Sequence, residues 1–118
     1  MLFLDTSAIV AYFIERDSNH RIAVEDFQGV FKSRQSLVIT DYILNETITT
    51  MLARAGHRDA VKAGNYLLKS NIINIIWLDK KLKLRAWEYF KRHRDKRYSF
   101  TDCTSFVLMK DMGIRHYI

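Results

Sequence analysis

The chain has 118 residues, 48% of them apolar and 27% charged, so we expect one globular domain over residues 1–118. A single cysteine excludes an internal disulfide and any zinc site built from paired cysteines, and four scattered histidines lack the spacing of a zinc hydrolase. The longest apolar run has seven residues, too short for a membrane span, and no basic leader precedes it. We therefore expect a cytoplasmic protein.

The net charge of +6 is concentrated in one segment of the chain. Residues 80–97 hold nine basic and two acidic residues. By contrast, residues 1–79 hold eight basic and nine acidic residues, and residues 98–118 hold two of each. Such a segment either approaches a polyanion such as RNA or forms the solvated face of a helix. The sequence leaves both interpretations open.

Apolar runs and helical spacing alternate along the chain, which predicts strands connected by helices. Predicted strands cover residues 2–4, 37–39, 72–78 and 114–118, and predicted helices cover residues 6–14, 19–32, 41–55, 59–69, 80–93 and 100–112. The run 72–78 has the β-branched composition of a buried strand. Helix caps are expected at Thr40 or Asp41, Asp79 and Ser99, and helix ends at Gly56 and Gly113. The pattern predicts an α/β fold with a mostly parallel sheet covered by helices on both faces.

Three acidic residues fall where such a fold brings them together. Asp5 follows the first strand, Glu46 lies in the helix after the second strand, and Asp102 lies in the first turn of the last helix. In an open parallel sheet the carboxyl ends of the strands share one edge, and the long Glu46 side chain can lean back toward it. We therefore expect these three residues to line one cleft.

Carboxylates gathered in one place repel one another unless they take up protons or bind a cation. Ligation by oxygen alone suits Mg²⁺ or Mn²⁺. Such an ion lowers the pKa of a bound water and offsets charge on a phosphoryl oxygen. The three acids therefore predict metal-dependent phosphodiester hydrolysis.

Each acid also has a simpler interpretation. Asp5 can cap the first helix, and Asp102, three residues after Ser99, has the spacing of a capping box. Glu46 is too deep in its helix to cap and can be a solvated surface residue. Phosphotransfer through Asp5 is a weaker rival, because Ser7 stands where a dehalogenase-like enzyme has its second aspartate.

Three segments resemble the acidic motifs of the PIN-domain ribonucleases, and in particular those of the VapC-type toxins of toxin-antitoxin pairs. They are LDTSA at residues 4–8, TDYILNET at residues 40–47 and YSFTDC at residues 98–103. No single segment is specific, but their order and spacing match the family over nearly the whole chain.

The resemblance implies a three-layer α/β/α domain that hydrolyses RNA with a water activated by Mg²⁺ or Mn²⁺. Asp5, Glu46 and Asp102 would be its metal ligands and catalytic residues, and a hydroxyl of Thr6 or Ser7 would support them. The resemblance also implies a homodimer and a small antitoxin that occupies the cleft.

The sequence departs from the family at its C-terminal end. The family places a fourth acidic or amide residue just beyond the strand that here ends at Ile118, followed by a short helix and an edge strand. We therefore expect the domain to be truncated, with that acid and the edge strand missing. This departure favours an alternative function, a degenerate PIN-like domain that binds RNA or an antitoxin without cleavage.

The remaining aromatic and sulfur-containing residues have simple expected roles. Trp77, Trp87 and the phenylalanines fall within apolar runs, which predicts core positions rather than surfaces for base stacking. Cys103, beside Asp102, is expected to be a small packed side chain rather than a nucleophile.

Overall fold

A computed structural model describes all 118 residues, with three strands and six helices. In chain order these elements are β1 (Leu2–Phe3), α1 (Thr6–Phe13), α2 (His20–Ser33), β2 (Leu37–Thr40), α3 (Asp41–Ala55), α4 (His57–Lys69), β3 (Ile73–Ile76), α5 (Lys80–Arg92) and α6 (Phe100–Met112). The strands form one parallel sheet in the order β1-β2-β3, which confirms the predicted fold class. None of the helices combines the length and apolar character that a membrane crossing needs.

The central strand β2 anchors the sheet. Leu37 pairs with Leu2 of β1 on one side and with Ile73 of β3 on the other. All four residues of β2 are buried, as expected of a strand covered by helices on both faces.

The direction of the crossovers decides which helices cover which face. Parallel strands are joined by right-handed crossovers. The chain passes from β1 to β2 through α1 and α2, and on to β3 through α3 and α4, so these four helices cover one face. It then returns across the sheet toward β1 through α5 and α6, which pack on each other and cover the opposite face. The result is the three-layer α/β/α arrangement.

The predicted final strand, residues 114–118, is present only as a short pairing beside β1. Tyr117 forms one parallel bridge with Phe3, the Phe3 amide donates to the His116 carbonyl at 3.1 Å, and the Ile118 amide donates to the Phe3 carbonyl at 2.9 Å. The pairing is short because β1, its partner, has only two residues. We call residues 116–118 the C-terminal segment, and it extends the sheet on the far side of β1.

The third strand differs from its prediction in length and in burial. It covers Ile73–Ile76 rather than residues 72–78, and only Ile73 is fully buried. The buried-strand prediction is wrong: β3 is an edge strand, and the side chain of Asn74, on one face of it, is exposed.

Helix caps follow the local sequence closely. The Thr40 hydroxyl caps α3 by accepting from the Ile43 amide at 3.1 Å, while the Asp41 carboxylate accepts from the Leu78 amide at 2.8 Å and ties α3 to the chain after β3. Gly56, at a φ of 93°, ends α3 and also begins α4. Because this glycine serves both helices, α4 starts at His57, two residues earlier than predicted.

The aromatic residues are less buried than the sequence predicts. Phe3 and Phe27 lie in the core, but four of the tryptophan and phenylalanine side chains are exposed: Phe31, Trp77, Trp87 and Phe90. The core prediction is wrong for these four. On α5 the reason is geometric, since the helix buries only Leu82 and Ala86 and leaves the side that carries Trp87 and Phe90 facing outward.

Candidate active site

Asp5 lies at the carboxyl end of β1 and is held by backbone hydrogen bonds on both sides. Its amide donates to the Ile118 carbonyl at 2.7 Å, and the preceding amide, of Leu4, donates to the Val38 carbonyl at 3.0 Å. Asp5 occupies the N-cap position of α1, but its carboxylate caps no helix amide. Instead, Oδ2 accepts from the Ser7 hydroxyl at 2.9 Å, and Oδ1 is left free. The capping interpretation therefore holds for the backbone of Asp5 and not for its carboxylate.

Asp102 is fixed by the capping box that its spacing from Ser99 predicts. The Ser99 hydroxyl accepts from the Asp102 amide at 3.0 Å, and Asp102 Oδ2 accepts from the Ser99 amide at 2.9 Å. This arrangement uses one carboxylate oxygen and leaves Oδ1 without a protein partner. Capping and ligand binding by Asp102 are therefore compatible.

The two aspartates line the same cavity, of about 210 Å³. Its other lining residues are Phe3, Tyr98, Ser105, Phe106, Met109 and Tyr117. The cavity lies where α6 packs against β1 and the C-terminal segment, the two neighbouring parts of the sheet at which its winding reverses direction. Open α/β sheets bind their ligands at such switch points.

Glu46 lies in the second turn of α3 and lines a different pocket, of about 330 Å³. Thr101 also lines that pocket, and Thr101 directly precedes Asp102, so the two depressions flank the first turn of α6. As the side chains stand, no group of three or more His, Cys, Asp or Glu residues is close enough to hold a metal ion. The structure thus brings Asp5 and Asp102 together and leaves Glu46 beside them. Metal binding by all three stays a prediction.

Three buried hydroxyls without a hydrogen-bond partner accompany the three acids. Thr6 follows Asp5, Thr47 follows Glu46, and Ser105 lies one turn after Asp102 in the lining of its cavity. Buried polar groups without a partner are uncommon and costly. Sequence reasoning named only Thr6 among these. The signal for Ser105 is its spacing of three residues from Asp102, which puts both on one side of a helix.

The donors in this cavity fit a hard divalent cation. They are the free oxygens of Asp5 and Asp102 and the unpartnered Ser105 hydroxyl, with no histidine among them. Cys103 supplies no thiolate, because its side chain is fully buried and the pKa of its thiol is raised, first by burial and then by the negative charge of Asp102. A set of oxygen donors alone suits Mg²⁺ or Mn²⁺.

Comparison with known proteins gives the same family in sequence and in structure. The chain matches the PIN domain family over residues 2–116. It is 35% identical over 117 residues to the 23S rRNA-specific endonuclease VapC20 of Mycobacterium tuberculosis, an alignment that covers 98% of this chain and 86% of VapC20. A VapC ribonuclease of Archaeoglobus fulgidus is 26% identical over 114 residues, covering 95% of this chain and 72% of the relative.

The fold itself has a solved counterpart. The crystal structure of VapC20 from Mycobacterium tuberculosis, described as a toxin that cleaves the sarcin-ricin loop, matches this chain with a TM-score of 0.88 and 31% sequence identity. The match covers 99% of this chain and 87% of the VapC20 chain. Family, fold and the three acidic segments agree, and the chain therefore belongs to the PIN-domain family, among the VapC-type ribonuclease toxins.

Proposed function

We propose that this protein hydrolyses RNA as a Mg²⁺- or Mn²⁺-dependent endoribonuclease, with Asp5, Asp102 and Glu46 as its metal ligands and catalytic residues. The observation that carries the proposal is the single cavity at the switch point of the sheet, into which Asp5 and Asp102 both open. Glu15 and Asp59 also line one cavity, but Arg16 and Lys62 share that lining and offset their charge.

The chain's own residues orient the ligands. The Ser7 hydroxyl holds Oδ2 of Asp5, and the Ser99 amide holds Oδ2 of Asp102, so that in each case Oδ1 is available to a cation. Glu46, in the adjoining pocket, is the third ligand in this proposal. A bound Mg²⁺ or Mn²⁺ would lower the pKa of a water molecule and stabilise negative charge on the phosphoryl oxygens.

Ile118 also contributes to the geometry of the site. Its carbonyl accepts from the Asp5 amide at 2.7 Å, which places the end of the C-terminal segment beside Asp5. The resemblance to the family assigns a fourth acidic or amide residue to this place. We propose that such a residue, where the chain continues, joins the same cavity.

The substrate that we propose is a structured loop of ribosomal RNA. VapC20, which is named as a 23S rRNA-specific endonuclease, aligns with nearly the whole of this chain. The positive charge of residues 80–97 favours a polyanionic substrate. A ribosomal substrate also places the protein in the cytoplasm.

The partners of a VapC-type toxin extend the proposal to assembly. We propose that a small antitoxin silences this protein by occupying the cavity of Asp5 and Asp102, and that the protein is a homodimer. Sedimentation of the purified chain, alone and with the antitoxin, measures both associations.

The proposal is tested by RNA cleavage with and without Mg²⁺ or Mn²⁺. We expect Asp5→Asn to lower the rate of cleavage by on the order of 10²-fold or more, because changing residues that merely orient metal ligands already costs 10- to 100-fold. The fold should be retained, because the Asp5 carboxylate caps no helix amide and the backbone hydrogen bonds of residue 5 do not change. Asp26→Asn, at an exposed position on α2, is the matched control and should cleave normally.

The Glu46→Gln variant tests whether Glu46 is a third metal ligand beside Asp5 and Asp102. We expect this variant to bind Mn²⁺ more weakly in a calorimetric titration and to cleave RNA more slowly for that reason. An unchanged rate of RNA cleavage in Asp5→Asn would show that the cavity of Asp5 and Asp102 is not the active site. Absence of both metal binding and cleavage in the unmodified chain would favour the degenerate domain that binds RNA without cutting it.

A further inference from the structure

The exposed aromatic residues of α5 belong to a cluster that spans three helices. Trp87 and Phe90 are 47% and 38% exposed, and their rings lie nearly parallel at 14°, with centroids 5.7 Å apart. Phe100, at the start of α6, lies 6.5 Å from Trp87 and 6.4 Å from Phe90, and Tyr42, in the first turn of α3, lies 6.2 Å from Phe100. We call these four residues the aromatic face.

Positive charge surrounds the aromatic face. The Lys83 ammonium lies 5.2 Å from the centre of the Tyr42 ring, and the Lys91 ammonium lies 5.9 Å from the centre of the Trp87 ring. Of the nine basic residues between 80 and 97, only Arg85 and Lys91 form ion pairs. Seven cations in this segment therefore have no acidic partner within the chain.

The aromatic face is continuous with the candidate active site. Tyr42 lines the same pocket as Glu46. Phe100 precedes Thr101, which lines that pocket too, and Asp102, which lines the cavity of Asp5. A nucleotide in contact with the aromatic face would therefore have its neighbouring phosphates next to the acidic residues.

We propose that unstacked bases of the RNA substrate stack on Trp87 and Phe90, with Phe100 and Tyr42 continuing this surface toward the acids and the free lysines and arginines binding the flanking phosphates. This inference rests on the proposed function and assigns it a substrate-positioning surface. Proteins that recognise RNA loops stack splayed bases on aromatic side chains beside basic residues, and every base has a face suited to this contact.

The charge pattern favours RNA over a protein partner as the occupant. A protein that covered these rings would also lie against the ammonium groups of Lys83, which has no acidic partner, and of Lys91, and would need carboxylates of its own to match them. An RNA backbone supplies a negative charge at every nucleotide, and its bases match the rings. One ligand thus satisfies both features of the surface.

The experiment measures the affinity of a short single-stranded RNA in buffer without divalent metal, where cleavage does not interfere. We expect Trp87→Ala to weaken binding roughly 5- to 150-fold, the range measured for loss of one stacked base. Trp87→Phe should recover most of the affinity. Trp77→Ala is the matched control, because Trp77 is 68% exposed and makes no ring contact with the aromatic face, and its affinity should equal that of the unmodified chain.

Two measurements keep the test independent of any folding defect in Trp87→Ala. In Trp77→Phe, Trp87 is the only tryptophan, and its fluorescence should be quenched by RNA. With the unmodified chain, an RNA of abasic nucleotides should bind more weakly than the normal RNA although its phosphates are the same. Equal affinity for both RNAs, or a Trp87→Ala variant that changes the oligomeric state and leaves RNA affinity intact, overturns the inference.

These outcomes are separable from those of the proposed function. If the unmodified chain never cleaves RNA but Trp87→Ala loses affinity for RNA, the proposed stacking surface is supported and the proposed nuclease activity is wrong. If cleavage depends on Asp5, but the unmodified chain and Trp87→Ala cleave a limiting concentration of RNA at the same rate, the proposed nuclease activity is supported. The proposed stacking surface is then wrong.

Discussion

At the scale of single residues, the two oxygens of the Asp102 carboxylate differ in their contacts. Oδ2 accepts from the Ser99 amide and stabilises the start of α6, while Oδ1 has no protein partner, and the residue lines the cavity shared with Asp5. A residue with both roles ties the stability of a helix to the geometry of the site. Substitutions on the two sides of the capping box can separate these roles.

We expect Ser99→Ala to lower the free energy of unfolding by about 1 kcal/mol, the usual cost of losing an N-cap side chain, and to keep most of the cleavage activity. Asp102→Ala should have a similar cost in stability and should abolish cleavage. Urea denaturation and initial cleavage rates measure the two quantities. If Ser99→Ala lost activity as completely as Asp102→Ala while still folded, the helix start and not the carboxylate would be what cleavage requires.

The hydroxyl of Ser105 makes a second prediction at this scale. It is buried and has no partner, so Ser105→Ala removes no hydrogen bond and should leave the free energy of unfolding unchanged or slightly higher. Cleavage should fall, because the hydroxyl lines the cavity of Asp5 and Asp102. Thr104→Val is the control: it removes the 2.6 Å bond from the Thr104 hydroxyl to the Thr101 carbonyl, and should lose about 1 kcal/mol of stability.

At the scale of the elements, α5 and α6 are joined on the outside by one bidentate ion pair. The Arg85 guanidinium donates to both carboxylate oxygens of Asp111, at 2.6 and 2.7 Å. These hydrogen bonds, and the positive charge behind them, lower the pKa of Asp111 below its ordinary value of 3.8. The pair bridges two helices that both contribute to the aromatic face.

The depressed pKa of Asp111 gives its stability contribution a defined pH dependence. A carboxyl group whose pKa is lower in the folded chain stabilises the fold above its unfolded pKa of 3.8, and loses this contribution as the pH falls through the folded value. We therefore expect Asp111→Asn to lower the Tm at neutral pH and to differ less and less from the unmodified chain below pH 3.8. A difference in Tm that persisted unchanged in acid would show that the ion pair is not its cause.

The elements also show which features the sequence can predict. The caps at Thr40 and Ser99 and the stop at Gly113 were predictable because each depends on residues within one turn. The exposure of Trp87 and the short extent of β3 depend on what the neighbouring elements cover, which apolar composition does not reveal. The same holds for Glu46: the sequence places it in the helix after the second strand, but the pocket that it lines depends on how α3 and α6 pack together.

At the scale of the whole molecule, the order of winding creates the site. The chain builds the sheet outward from β1 to β3 and then returns to the opposite side of β1, so that the switch point opens between β1 and the C-terminal segment. The family resemblance predicted the three-layer α/β/α domain but not the order of its strands. It did not predict that two acids would share a cavity while the third lined the next one.

The bond between the Asp5 amide and the Ile118 carbonyl makes the first acid depend on a weakly held part of the fold. Three backbone hydrogen bonds, at Phe3, Ile118 and Asp5, hold the C-terminal segment to β1. So small a unit can open locally at a lower free energy than global unfolding requires. We therefore expect cleavage to be lost at a lower urea concentration than the loss of helical circular dichroism, and the Asp5 amide to exchange with solvent faster than the Leu4 amide, which is bonded to the central strand. Coincident transitions for activity and helix content would show that the segment opens only when the whole domain unfolds.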